Sequence, residues 1–164
     1  MTIDRRSVLE LGLIGAATGS FPLTVAEIAA AQSSSNGKAP VMLKHVEMDA
    51  RQKLADQFAD PSDAPVILIN LFDVDPRDAD HFKRAWAEDA AFFKRQPGYI
   101  SAQLHHGIGN SSMWLNYAVF ENAKMFGATT RQPEFGPLRG VYPDSATAHP
   151  NLFRRVRIPG ICVD

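Results

Sequence analysis

The period of the hydrophobic pattern changes repeatedly along the chain. Val66 to Val74 (VILINLFDV) is a nearly unbroken β-branched and aromatic run, the mark of a buried strand. Asn70 falls in its middle, where an amide must find hydrogen bonds or cost free energy. Asp75-Pro76 then supplies an N-cap and a proline for the first helical position. Ala79, Phe82, Trp86, Ala90 and Phe93 recur at i, i+3, i+7, i+11 and i+14, one apolar helix face. Lys83, Arg84, Glu88, Lys94 and Arg95 form a mostly solvated opposite face, and Gln96-Pro97-Gly98 stops the helix. Tyr99–His106 and Met113–Phe120 return to strand patterning across a Gly-containing hairpin loop, 107–111. Glu121 to Thr130 is helical in composition, and Pro133, Gly136, Pro137 and Gly140 break up the next segment. His149-Pro150 leads into a predicted last strand, Leu152 to Ile158 (LFRRVRI).

The order strand, helix, strand, strand, helix, strand is that of a ferredoxin-like split βαβ unit. The expected fold is α+β: one antiparallel sheet with helices on one face. Its other face then needs cover, and a C2 homodimer joined sheet face to sheet face would provide it. Upstream, Val41–Val46 suggests a short strand and Ala50–Phe58 a short helix, packed on the main domain as an extension. The expected division is a leader at 1–31, a linker and extension at 32–64, and the folded domain at 65–164.

Arg5-Arg6, a weakly apolar stretch from Leu11 to Ala31, and Ala29-Ala30-Ala31 resemble a twin-arginine export signal with its cleavage site. Asp4 and Val8 depart from the usual motif. Export to the periplasm or beyond is the expectation; otherwise these residues are an N-terminal arm. Glu10, Pro22 and Glu27 interrupt the stretch too often for a membrane-spanning helix. The formal net charge of −1 argues against nucleic-acid and anionic-membrane partners, since phosphates demand a basic surface. A single cysteine, Cys162, excludes an intramolecular disulfide, and its expected role is packing.

INLFDVDP, a helix with a central Trp, PGYISAQLH and then NYAVFEN resemble the antibiotic biosynthesis monooxygenase (ABM) family from Pro65 to Phe126. The resemblance implies a dimeric α+β barrel. It also implies a cofactor-independent oxidation of a small phenolic or polyketide-like aromatic by O2, with a substrate anion passing an electron to oxygen. Relatives that degrade haem, or show no activity, imply the alternative of a non-catalytic protein that binds haem or an aromatic ligand. Asn116 matches the Asn that lines the family pocket. Phe120 stands where many relatives have Trp and Phe126 where a phenol-using one has Tyr, so two polar donors are lost. Asn70 matches the first-strand Asn of the haem-degrading relatives, but no His stands in the region of Thr129 to Arg131.

Alternation sets Trp114, Asn116, Ala118 and Phe120 on one face of their strand and Met113, Leu115, Tyr117 and Val119 on the other. Asn116 is either a substrate ligand or part of a buried hydrogen-bond network. His105 and His106 point to opposite faces; either one is a general base or a strand-end residue near solvent, and the apolar neighbours of His106 suggest the buried side for it. Strict alternation would group Tyr99 with Ser101, Gln103 and His105. Trp86 is core first and pocket wall second, with Trp114, Phe120 and Phe126 as further candidate substrate contacts. His45 and His81 read as surface residues. Arg154, Arg155 and Arg157 form either a solvated or dimer-rim face or a site for an acidic group. No metal-ligand, phosphate-loop or nucleophile-elbow pattern is present.

Overall fold

The structure is a computed structural model that describes residues 42–162. The export signal expected at 1–31 lies outside the described residues. Five strands form one mixed sheet, in the order β1-β5-β2-β4-β3. They are β1 (Lys44–His45), β2 (Val66–Asp73), β3 (Tyr99–His106), β4 (Met113–Phe120) and β5 (Thr147–Phe153). The helices are α1 (Leu54–Gln57), α2 (Ala79–Lys94), α3 (Ala123–Thr130) and α4 (Phe135–Leu138). All pairings are antiparallel except β1 with β5. The helices lie on one face, as the split βαβ order requires. Among the described residues, no helix is long and apolar enough to cross a membrane.

The local chemistry explains the boundaries. Asp75 caps a 3-10 turn, Pro76–Asp78, by accepting from the Arg77 N–H at 2.9 Å, and this turn runs into α2. Gly98 closes the α2–β3 turn at φ +82°, where an L side chain is strained and a Cβ would also strike Met125. Asn122 caps α3 through the Met125 N–H at 2.9 Å.

Two expectations fail at the strands. The last strand begins five residues early and stops at Phe153, before the arginines that were expected on it. Its outer edge explains how proline fits inside. Ala148 offers its carbonyl outward to the Val46 N–H, and the Leu152 N–H and carbonyl are clasped by the Gln57 side chain at 2.9 and 3.2 Å. Pro150, two residues from each, therefore turns its nitrogen to an edge where no ladder bond is needed. Arg154, Arg155 and Arg157 are exposed beyond the strand, with Arg154 paired to Asp60. The second failure is in β3. Tyr99 pairs with Phe120 and Ser101 with Val119, so Ile100 is a bulge residue. The extra residue turns Tyr99 to the helix-covered face, alongside Ala102 and Leu104. Cys162, expected to pack, is exposed.

The core beneath the helices is divided. One cluster contains Val66, Leu68, Ala118, Phe120, Phe126 and Leu152; the other contains Phe72, Phe82, Ala85, Trp114, Tyr142 and Ala148. The row between them holds Asn70 and Asn116, directly opposite each other in the β2–β4 register. An apolar core split by a polar row is the first sign of where ligands belong.

Candidate active site

A cavity of about 480 Å³ lies between the sheet and the helices, within the range of roughly 300–1,000 Å³ that holds small organic ligands. Its floor is the helix-facing row of every second strand residue: Leu68, Asn70 and Phe72 from β2, Asn116, Ala118 and Phe120 from β4, and Ala148 and Pro150 from β5. Trp86, Asp89, Ala90 and Phe93 of α2 form the roof, with Phe126, Phe135 and Phe58 closing one side. Trp86 and Phe93 are only half-buried, whereas Phe82, Ala85 and Phe92 on the same helix are fully packed. That contrast follows from position: the former line a space and the latter fill one.

The aromatic wall is dense. Phe120 and Phe126 sit 4.8 Å apart by ring centroids, Phe93 stacks on Phe126 at 5.8 Å, and Tyr99 meets Phe120 edge-on at 5.9 Å. The bulge at Ile100 is what brings Tyr99 into this wall. Phe120 and Phe126 present hydrocarbon only, so the polar chemistry must come from elsewhere.

It comes from three side chains. Asn70, Asn116 and Asp89 each carry an Oδ1 that is buried and has no hydrogen-bond partner, and all three residues line the cavity. A buried acceptor left unpaired costs about 1–3 kcal/mol, so three on residues around one space favour a ligand with hydrogen-bond donors. Asp89 accepts from the Tyr142 hydroxyl through its other oxygen, Oδ2, at 2.9 Å. Burial pushes the Asp89 carboxyl up to about 6, against the opposing pull of the Tyr142 hydrogen bond and the Arg139 charge. Tyr142 is raised as well, by burial first and then by the neighbouring carboxylate.

The sequence-predicted residues divide by place. Asn70, Asn116, Trp86, Phe120 and Phe126 converge on the cavity. Trp114, on the expected face, is buried one row beyond it against Phe82, with centroids 5.2 Å apart. His106, expected on the buried side, is exposed: its ring stacks on Trp114 at 4.0 Å and its Nε2 lies 2.9 Å from the Ser111 carbonyl. His105 is exposed on the opposite face, and neither histidine lines the cavity. His45 is exposed, as expected, and stands at the cavity rim with its Nε2 3.4 Å from Glu47 Oε1. His81 is exposed against the Val141 carbonyl at 2.8 Å.

Asp89 was missed because charged residues on α2 read as a solvated face. A signal was present: Phe82, Trp86, Asp89 and Phe93 stand at i, i+4, i+7 and i+11, a carboxylate inside the apolar stripe. Among the described residues, no three His, Cys, Asp or Glu side chains are grouped to hold a metal ion.

Residues 65–137 match the family model described as antibiotic biosynthesis monooxygenase. Sequence and fold together support that family. SnoaB, a cofactor-independent oxygenase from Streptomyces nogalater, is 28% identical with a TM-score of 0.54, over 59% of this chain and 98% of its own. A variant of SnoaB aligns at 27% identity and TM-score 0.52, covering 60% and 99%. A Nitrosomonas europaea protein assigned to antibiotic biosynthesis monooxygenases shares the fold at 14% identity and TM-score 0.50, covering 56% and 90%. No curated protein sequence matches the chain. Residues 65–137 carry the whole floor of the cavity except Ala148 and Pro150, which β5 adds.

Proposed function

We propose that this protein is a cofactor-independent monooxygenase that oxidises a small phenolic or polyketide-like aromatic with O2. The observation that carries the reading is the pairing of Asn70 with Asn116 across β2 and β4, two residues that line an aromatic-walled cavity and whose side-chain oxygens are buried and unpartnered. Similarity to a cofactor-independent oxygenase supports it. The aromatic rings hold a flat substrate and exclude water, while the amide Oδ1 atoms accept hydrogen bonds from its hydroxyl groups and the Nδ2–H groups donate to the oxygen that becomes anionic. That anion passes an electron to O2, and the resulting radical pair combines to a peroxide. Protonation and loss of water convert a CH2 group to a carbonyl, so that CH2 and O2 give C=O and H2O.

Haem is less well supported as an occupant. Among the described residues His45 is the one histidine lining the cavity, and it faces Glu47.

The active form in this reading is a homodimer. Ile67, Ile69, Leu71, Leu115, Tyr117 and Val119 occupy the sheet face that no helix among the described residues covers, and a second copy would bury them.

Oxygen uptake by the protein with panels of phenols, anthrones and quinols tests the reaction. Turnover above the uncatalysed rate is expected, with kcat/KM lowered about 10²-fold in Asn116→Ala. Uptake at the uncatalysed rate, or the same uptake in Asn116→Ala, would contradict the proposal.

A further inference from the structure

The two oxygens of Asp89 are in different situations. Oδ2 accepts from the Tyr142 hydroxyl at 2.9 Å, while Oδ1 is buried, without a partner, on a residue that lines the cavity. Tyr142 is itself held firmly: it is 3% exposed, parallel to Phe72 at 6.1 Å and tilted on Phe82 at 5.9 Å. A tyrosine so buried keeps its proton, and therefore always donates. The carboxylate is thus fixed by one oxygen and unpartnered at the other. The remaining titratable or charged groups around the cavity are Arg139 after α4, His45 and Glu47 at the rim, and Tyr99 at the start of β3. His45 is turned to Glu47, and Arg139 hydrogen-bonds the Leu43 carbonyl at 3.4 Å.

We infer that Asp89 is the proton acceptor of this site, its unpartnered Oδ1 taking a proton from the hydroxyl or activated CH2 of the bound aromatic, with Tyr142 as its positioning residue. In that step the substrate's O–H or C–H bond breaks, its electron pair stays on the substrate, and the proton forms the Asp89 carboxylic acid. The same proton returns to the peroxide anion formed after O2 adds, so the residue ends each cycle ionised. A carboxyl raised to about 6 is ionised at neutral pH yet basic enough to share a proton with an acidic phenol. This assignment rests on the oxygenase reading for its reaction. The proton transfer itself can be observed without turnover.

The turnover-independent experiment binds 4-nitrophenol, whose anion absorbs visible light, at a pH where the free probe is ionised. The wild type is expected to take up a proton from solution on binding, because the anion cannot sit beside ionised Asp89. Asp89→Asn is expected to bind the anion with no proton uptake. Equal uptake by both proteins, or probe binding by neither, overturns the assignment of Asp89.

With an oxidisable anthrone, wild-type kcat/KM should fall as pH drops through about 6. Asp89→Asn should lose about 10²- to 10⁴-fold in kcat with a small change in KM. Asp89→Glu should recover part of the rate. Tyr142→Phe removes the hydrogen bond that lowers the carboxyl's pKa, so its acid limb should move to higher pH. An unmoved limb in Tyr142→Phe, or full rate in Asp89→Asn, overturns the inference. Probe-linked proton uptake without oxygen consumption by any substrate would instead uphold Asp89 and count against the oxygenase reading.

Discussion

The two faces of the central strands are built from alternate residues of the same stretches, and they differ sharply. On the helix-covered face, β2 and β4 place Leu68, Asn70 and Phe72 against Ala118, Asn116 and Trp114. That face interleaves amides with large rings and leaves the amide oxygens unpaired on residues that line a cavity. On the other face the same strands oppose Ile67 to Val119, Ile69 to Tyr117 and Leu71 to Leu115. This face is a continuous apolar ladder, half-buried and, among the described residues, without a helix above it. The covered face retains unfavourable polar groups because a ligand can satisfy them. The open face has few polar groups in its centre, which suits contact with another apolar surface.

The largest expected effect breaks the open face. Ile69→Asp would set an uncompensated carboxylate at the centre of the proposed dimer interface, at a cost of about 3–5 kcal/mol in association. Light scattering should show a dimer for the wild type and a single chain for the variant, with the far-UV circular dichroism unchanged. A monomeric wild type would end the symmetry argument for this face.

A smaller effect probes the covered face without any substrate. The Asp89 carboxyl is raised from its ordinary value of 3.8 to about 6 by burial. Its stabilising contribution is therefore complete below the unfolded value and is lost as pH rises through the folded one. Across that window the wild type should lose up to roughly 3 kcal/mol that Asp89→Asn keeps. Urea unfolding at pH 4 and pH 7 reads the difference. Parallel pH dependence in the two proteins would show that Asp89 is not held in the buried environment described.

The contrast between faces was partly legible beforehand. In β4, strict alternation placed Asn116 and Phe120 together, and the strand is regular from Met113 to Phe120. In β3 the same rule misplaced Tyr99, because a bulge adds a residue without leaving a compositional mark at Ile100. In β5 the alternation of LFRRVRI suggested a strand, but pairing with β2 and the Gln57 clasp favour the segment containing Pro150. Asp89 stayed hidden for a related reason. The apolar stripe of α2 places it, but its partner Tyr142 is 53 residues away in sequence, and no local pattern announces that contact. Local periodicity thus revealed the floor of the site, while its acid–base chemistry depended on long-range packing.

If the covered face is where the reaction takes place, a substrate must settle on the Asn70–Asn116 row. A crystal structure of the protein bound to a phenolic ligand that resists oxidation would show this. The ring should lie in the cavity among Trp86, Phe93 and Phe120, with a ligand oxygen at hydrogen-bonding distance from the Asn116 side chain. A ligand seated on the open face, or one in the cavity that leaves Asn70, Asn116 and Asp89 untouched, would contradict it.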